Sequence, residues 1–199
     1  MSVDLIGLTL GTSFAAGLNV YATVATLGLL QRFGVVTLPE PLQAVAHPVV
    51  IGVALALYLI EFFADKIPYI DSIWDVAHTF IRPPAAALLA YAAAGVGVSE
   101  PWRIVAALLA GGVALTSHGT KATTRAAVNA SPEPLSNWVF SVLEDGLAIG
   151  LAWLAAAHPL IALGVALFLL GLSILLLVLL FRFFRRLLAG PVRRAEQAG

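Results

Sequence analysis

The stretch Tyr58–Pro84, YLIEFFADKIPYIDSIWDVAHTFIRPP, decides how this chain is read. It lies between two strongly apolar runs and carries Glu61, Asp65, Lys66, Asp71, Asp75, His78 and Arg82. Only 11% of the chain is Asp, Glu, Lys or Arg, so this is a steep local concentration of charge. Near a bilayer centre each such charge disfavours insertion by about 2.5–3.5 kcal/mol on translocon scales, so it is usually paired, hydrated or functional.

The bilayer enters because the chain is 60% hydrophobic, with mean hydropathy +0.96. Ordinary soluble domains are roughly 45–50% apolar. These values and several long apolar runs predict a polytopic membrane protein, an all-α bundle whose partner is the lipid bilayer. The formal net charge is zero, which removes the basic footprint of nucleic-acid binding. Cysteine is absent, excluding disulfides, thiolate metal ligands and Cys nucleophiles. The first residues, MSVDLIGLTL, have no basic n-region, so the opening apolar segment reads as a retained span.

Spans of roughly 17–25 apolar residues are expected. The first covers about Leu5–Leu30 and holds two polar stripes, Ser13/Gly17/Tyr21 and Asn19/Thr23/Thr26, suited to a protein-facing helix that Gly11 and Gly17 can interrupt. A Pro-rich connection, Arg32–Pro48, leads to spans at about Val49–Phe63, Pro83–Val98, Trp102–Leu115, Leu135–Ala157 and Leu160–Phe181. The expectation is therefore six spans in one membrane domain, residues 1–190, with a short disordered tail over 191–199.

Asp71, Asp75, His78 and Arg82 recur at i, i+4, i+7 and i+11, opposite Ile70, Trp74, Ala77 and Ile81. That pattern predicts an additional amphipathic helix, capped by Asp71, that either lies on the membrane or dips into it as a re-entrant segment. Six spans from a cytoplasmic N-terminus place Lys66, Arg82, Lys121, Arg125, Arg182, Arg185, Arg186, Arg193 and Arg194 inside, against Arg32 and Arg103 outside. This bias predicts an inner-membrane protein with both termini cytoplasmic. Gly11–Thr26 and Gly111–Ala126 share a polar helical pattern, and Pro-Glu-Pro-Leu occurs at Pro39–Leu42 and Pro132–Leu135, which suggests two halves related as an inverted repeat.

Glu61 and Asp65 share one helical face, where paired carboxylates can take up a cation or proton; the alternative is a membrane-boundary pair. Asp71, Asp75 and His78 can ligate a divalent cation, or form the polar face of an interfacial helix. Lys121 and Arg125, on one side of a helix with Ser117 and Asn129 and with His118 nearby, either neutralise acids or bind an anionic headgroup. Glu144-Asp145 sits between apolar runs, as a second acidic pair or a loop edge. Asn19 and its Ser/Thr neighbours supply neutral ligands. Six acids (Glu61, Asp65, Asp71, Asp75, Glu144, Asp145) against four bases (Lys66, Arg82, Lys121, Arg125) leave an acidic balance that suits a cation or proton.

Four motifs carry a family resemblance: GLNVY (Gly17–Tyr21), EFFADKIPYIDSIWDVAHTFIRPP (Glu61–Pro84), HGTKATTRAAVNASPEPLSN (His118–Asn137) and LED (Leu143–Asp145). Together they resemble the bacterial membrane family called domain of unknown function 4126. The family pattern places Pro after the Asn of the first motif, where this chain has Val20. The resemblance implies a membrane class and supplies no activity or cofactor.

The expected function is a small secondary transporter or permease for a cation or protons, with Asn19, Glu61, Asp65, Asp71, Asp75, His78, Lys121, Arg125, Glu144 and Asp145 along the pathway. The alternatives are a membrane-embedded enzyme or anionic headgroup binder, and a non-catalytic assembly component. No catalytic motif is present, so a non-enzyme is expected. A six-span monomer is small for a transport pathway, which makes a homodimer plausible.

Overall fold

The structure is a computed structural model that describes residues 1–67, 69–95, 97–129 and 134–196. Among these residues every regular element is helical. The helices are α1 (Val3–Leu18), α2 (Val20–Arg32), a 3-10 helix (Glu40–Ala46), α3 (Pro48–Ala64), α4 (Ile70–His78), α5 (Arg82–Ala94), α6 (Glu100–Asn129), α7 (Pro134–Ala157) and α8 (Pro159–Glu196). Pro68, Pro132 and Glu133, the last two within the second Pro-Glu-Pro-Leu, lie outside the described residues, as do tail residues 197–199.

Local chemistry explains most helix ends. Ser2 caps α1 by accepting from Leu5 N at 3.2 Å, and His47 caps α3 through Nδ1 at 3.3 Å from Val49 N, with Pro48 as the first helical residue. Pro83 and Pro84 occupy the first turn of α5, and Gly95, with φ 61°, ends it. Tyr69, not Asp71, holds the N-cap position of α4; Asp71 lies in the first turn.

The expected first span is two helices. The chain leaves helical geometry at Asn19, with φ −154° and ψ 102°. Asn19 N–H closes α1 on Ala15 O at 2.9 Å, and its Oδ1 opens α2 by accepting from Ala22 N at 2.9 Å. Val20 therefore stands at the first position of a new helix, so the break forms without proline.

Interhelical contacts show that the chain folds back there. Ser2 and Leu5 line a cleft with Pro39–Pro41 and Ala93–Gly95, and Met1 and Ile6 face Trp102 and Val105. From that end α1 runs to Gly17, beside Ser117 and Arg82. The far end of α2 returns toward the starting level, since Gly28 meets Val45 O and Gln31 Oε1 accepts from Leu38 N at 2.7 Å. Phe14 O and Leu18 O accept from Ser117 Oγ and Lys121 Nζ at one constant offset, so α1 and α6 run parallel. The inverted relation expected between Gly11–Thr26 and Gly111–Ala126 is not the one observed: α6 continues unbroken through the second stretch.

α1 is central, packed against α5, α6, α7 and α8. The approach is close enough that a Cβ on Gly7 would strike Pro159 O, and one on Gly17 would strike Ser117 Oγ and Ala114 O.

Among the described residues, two helical segments suit a membrane crossing on their own by length and composition, Asn137–Ala157 and Pro159–Phe183. A third arises if the 3-10 helix and α3, bent by 62°, count as one. The six expected spans are thus not six long apolar helices. Asn19 splits the first, α5 has only 13 residues, and α6 carries a polar second half.

Beside an apolar core, many large apolar side chains are exposed and charged ones buried, unlike the pattern of a water-soluble domain. Leu108, Phe168, Leu88 and Ile73 are exposed, whereas Glu61, Asp65, Arg82, Lys121 and Arg125 are at most 2% exposed. α4 is the sharpest case. Its Asp71, Asp75 and His78 face is buried and Ile73 and Val76 point outward, so the polar face of this helix is paired within the protein and not solvated.

Candidate functional site

The helix periodicity that aligned acids and bases along single faces brings those faces together. α3 contributes Glu61 and Asp65 one turn apart, and α6 contributes His118, Lys121 and Arg125 on one stripe. α5 opens with Arg82, and α7 carries Glu144 and Asp145. The break at Asn19 brings the last carbonyls of α1 to the same level.

The ion pairs form an alternating chain. Glu61 Oε1 accepts from Arg82 Nη2 at 2.5 Å and from Lys121 Nζ at 3.4 Å. Asp65 Oδ2 accepts from Lys121 Nζ at 2.8 Å and Arg125 Nη2 at 3.0 Å. Glu144 Oε2 accepts from Arg125 Nη2 at 2.5 Å and Nε at 3.0 Å, with Lys121 Nζ at 3.8 Å. Backbone oxygens complete it: Arg82 Nη1 donates to Gly17 O at 3.1 Å, Lys121 to Leu18 O at 3.1 Å, and Arg125 Nη1 to Asp65 O at 3.1 Å. Gly17 and Leu18 end α1, where the helix dipole is negative, so two cations sit where they are favoured.

The remaining residues flank this chain. Asn19 Nδ2 donates to Asp145 Oδ1 at 2.9 Å. Asp75 Oδ1 lies 3.7 Å from Arg82 Nη1, and Asn137 Nδ2 donates to Asp71 Oδ2 at 3.2 Å. His78 meets Tyr21 Oη at 3.1 Å and Glu61 Oε2 at 3.9 Å. All ten residues singled out from sequence therefore lie in or beside one buried cluster, with Asp71 on its margin.

The acid–base balance differs from the expectation in detail. Lys66 is outside the chain of pairs: its Nζ sits 3.0 Å from the Phe62 ring centroid and donates to Phe62 O at 2.9 Å. Glu61, Asp65, Asp75, Glu144 and Asp145 are thus faced by Arg82, Lys121 and Arg125, so the carboxyl groups outnumber the cations by two. Carboxylate oxygens carry the surplus. Glu61 Oε2, Asp65 Oδ1, Asp145 Oδ2 and both Asp75 oxygens are buried and accept no hydrogen bond. Native interiors pair nearly all such atoms, so these mark acceptor capacity the fold itself does not use.

Three contributors were not singled out as site residues: Arg82, His118 and Asn137. Arg82 had a signal, since it closes the acidic stripe of α4 immediately before Pro83. His118 lies one turn before Lys121. Asn137 had no local signal, because its partner Asp71 is 66 positions away. Among the described residues no group of three or more His, Asp or Glu side chains is placed to hold a metal ion, because Lys and Arg lie between the acids. The divalent-ligand reading of Asp71, Asp75 and His78 finds no such arrangement.

The helices that meet here all fall inside one matched region. A family model described as domain of unknown function (DUF4126) matches residues 6–179. The chain belongs to this family. Comparison with curated proteins and with solved structures finds no match. The DUF4126 match spans α1 to most of α8, so the whole buried cluster belongs to the family domain.

Proposed function

We propose that this DUF4126 protein is a polytopic inner-membrane protein, and that its buried cluster is the pathway of a small secondary transporter or permease for protons or another small cation. One observation carries the reading: a broken helix meets a buried ion-pair network with more acid than base. Unwound helix ends and unpaired carboxylate oxygens at one depth supply acceptors for a cation in a low-dielectric setting. Lys121 and Arg125 are already engaged by Asp65 and Glu144, which weighs against their serving an anionic headgroup.

The fold-back at Asn19 revises the expected topology. In this reading α1 and α2 form a hairpin that enters and leaves on one face, and α3, α5, α6, α7 and α8 cross. Lys66 and the basic end of α8 then lie toward the inside and Arg32 and Arg103 outside, whereas Arg82, Lys121 and Arg125, expected on the inner side, are buried in the cluster. The parity changes, so the N-terminus lies outside and the C-terminus inside.

The test is ion and proton flux into proteoliposomes holding the purified chain, compared with Glu61→Gln and Glu144→Gln, with thermal unfolding followed in parallel. Flux is expected in the wild type and lost in folded variants. Full flux in both variants would remove the cluster from the pathway.

A further inference from the structure

We infer that His78 is a proton-binding site and that Glu61 receives the resulting imidazolium; this names the proton as the cation of the pathway proposed above and rests on that reading for its place in transport. The two buried histidines are held under opposite constraints. His118 Nδ1 lies 2.6 Å from Arg82 Nη1, and its Nε2 lies 3.0 Å from Asp75 O. A guanidinium only donates and a carbonyl only accepts, so Nδ1 carries a lone pair and Nε2 the hydrogen. His118 is locked neutral, with no free nitrogen for a proton.

His78 is arranged the other way. Its Nδ1 lies 2.8 Å from Trp74 O and therefore carries the hydrogen. Its Nε2 lone pair faces Tyr21 Oη at 3.1 Å, a hydroxyl that can donate or accept. Beyond it, 3.9 Å away, is Glu61 Oε2, wholly buried and without a hydrogen bond, while Oε1 of the same carboxylate is held by Arg82 and Lys121. The acceptor for a second imidazole hydrogen is thus already in place.

The groups facing His78 come from every element around it. Tyr21 comes from α2, Glu61 from α3, Asp75 and the Trp74 ring from α4, Arg82 from α5, and His118 and Lys121 from α6. Burial is the largest influence and holds His78 below the usual histidine range. Glu61 and the bond to Trp74 O favour the charged imidazole, while Arg82 and Lys121 oppose it, so protonation calls for acidification. The carboxyl groups of the cluster outnumber its three cations, and a proton on His78 adds positive charge where acids are in excess.

The step is a simple transfer. An O–H bond of hydronium from the aqueous phase breaks, the Nε2–H bond forms, and the Tyr21 hydroxyl stops donating to Nε2. A ring movement of about 1 Å brings Nε2–H within hydrogen-bond range of Glu61 Oε2. The new cation then competes with Arg82 and Lys121 for Glu61, so proton uptake on α4 weakens the pairing of α3 with α5 and α6.

The experiment uses the full chain in lipid bilayers with ¹⁵N-labelled histidine, read by solid-state NMR, with signals assigned by His78→Gln and His118→Gln. On acidification His78 is expected to pass from the neutral Nδ1–H tautomer to imidazolium, while His118 stays neutral with hydrogen on Nε2. Glu61→Gln is expected to abolish the His78 imidazolium signal at the pH where the wild type shows it. Tyr21→Phe keeps every charge and is expected to increase that signal; it serves also if Glu61→Gln does not fold. A His78 that stays neutral wherever the protein is folded, or a His118 that titrates first, overturns the proposal. Proton flux on the same samples separates the two readings: titration of His78 without flux keeps the proton site and removes the transport role, whereas flux without titration does the reverse.

Discussion

Lys121 offers the most direct measurement of how deeply the cluster is held out of water. Its ammonium has three hydrogens and four oxygen neighbours: Asp65 Oδ2 at 2.8 Å, Leu18 O at 3.1 Å, Glu61 Oε1 at 3.4 Å and Glu144 Oε2 at 3.8 Å. Lys121→Met preserves the stem volume and removes the charge. Glu61, Asp65, Asp75 and Glu144 then share Arg82 and Arg125, and Leu18 O, at the end of α1, loses its donor. Breaking one partner of a buried pair costs about 3–5 kcal/mol. That is a fifth or more of the roughly 5–15 kcal/mol that holds a typical domain folded. Removing one acid as well should restore part of it, because Arg125 still serves Glu144 when Asp65 is gone. Lys121→Met/Asp65→Asn is therefore expected to cost less than the sum of the single changes, with a coupling of about 1–3 kcal/mol. The assay is equilibrium unfolding in mixed micelles for the wild type, both single variants and the pair. A Lys121→Met cost below about 1 kcal/mol, in the range of exposed ion pairs, together with strict additivity, would refute a desolvated network.

Asn19→Ala removes both the α2 cap and the partner of Asp145, and is expected to cost about 2–4 kcal/mol in the same assay; an unchanged midpoint would contradict the role of the break. Gly17→Ala should be destabilising by about 1–3 kcal/mol through overpacking, whereas Gly112→Ala, whose Cβ meets open space, should be neutral or stabilising. Because the chain has no cysteine, Ile73→Cys and Val76→Cys provide single-site labels on α4. Both should resist a membrane-impermeant maleimide in vesicles and react after detergent solubilisation; rapid labelling in vesicles would place the outward face of α4 in water. Tags on the two termini should be accessible from opposite sides of the membrane, and accessibility from one side would contradict the proposed hairpin topology.

Much of this organisation was legible locally. The apolar excess follows from composition, and the periodicity of α3 and α7 places helices close to the expected bounds, because amphipathic spacing and proline or histidine caps act within one turn. α8 begins where expected but continues as helix past Phe181 to Glu196, through the start of the tail expected to be disordered. The one-face alignment of Glu61 with Asp65, of Asp71 with Asp75 and His78, and of Lys121 with Arg125 is likewise a property of 3.6-residue geometry. Local reasoning fails where two local outcomes have similar energies. Asn19 can sit inside a polar helix or cap two helices, and the balance includes its bond to Asp145, 126 positions away.

The same holds for α4, whose stripe of Asp71, Asp75 and His78 is equally compatible with water or with a protein interior. Only the arrival of Arg82, His118 and Asn137 from other segments turns that face inward and leaves Ile73 and Val76 outside. Charge content, helix faces and family are thus properties of the chain itself. The pairing order and the reversal at Asn19 belong to the tertiary structure. The physical reason is that a buried charge is stable only beside a partner, and here nearly every partner is distant in sequence.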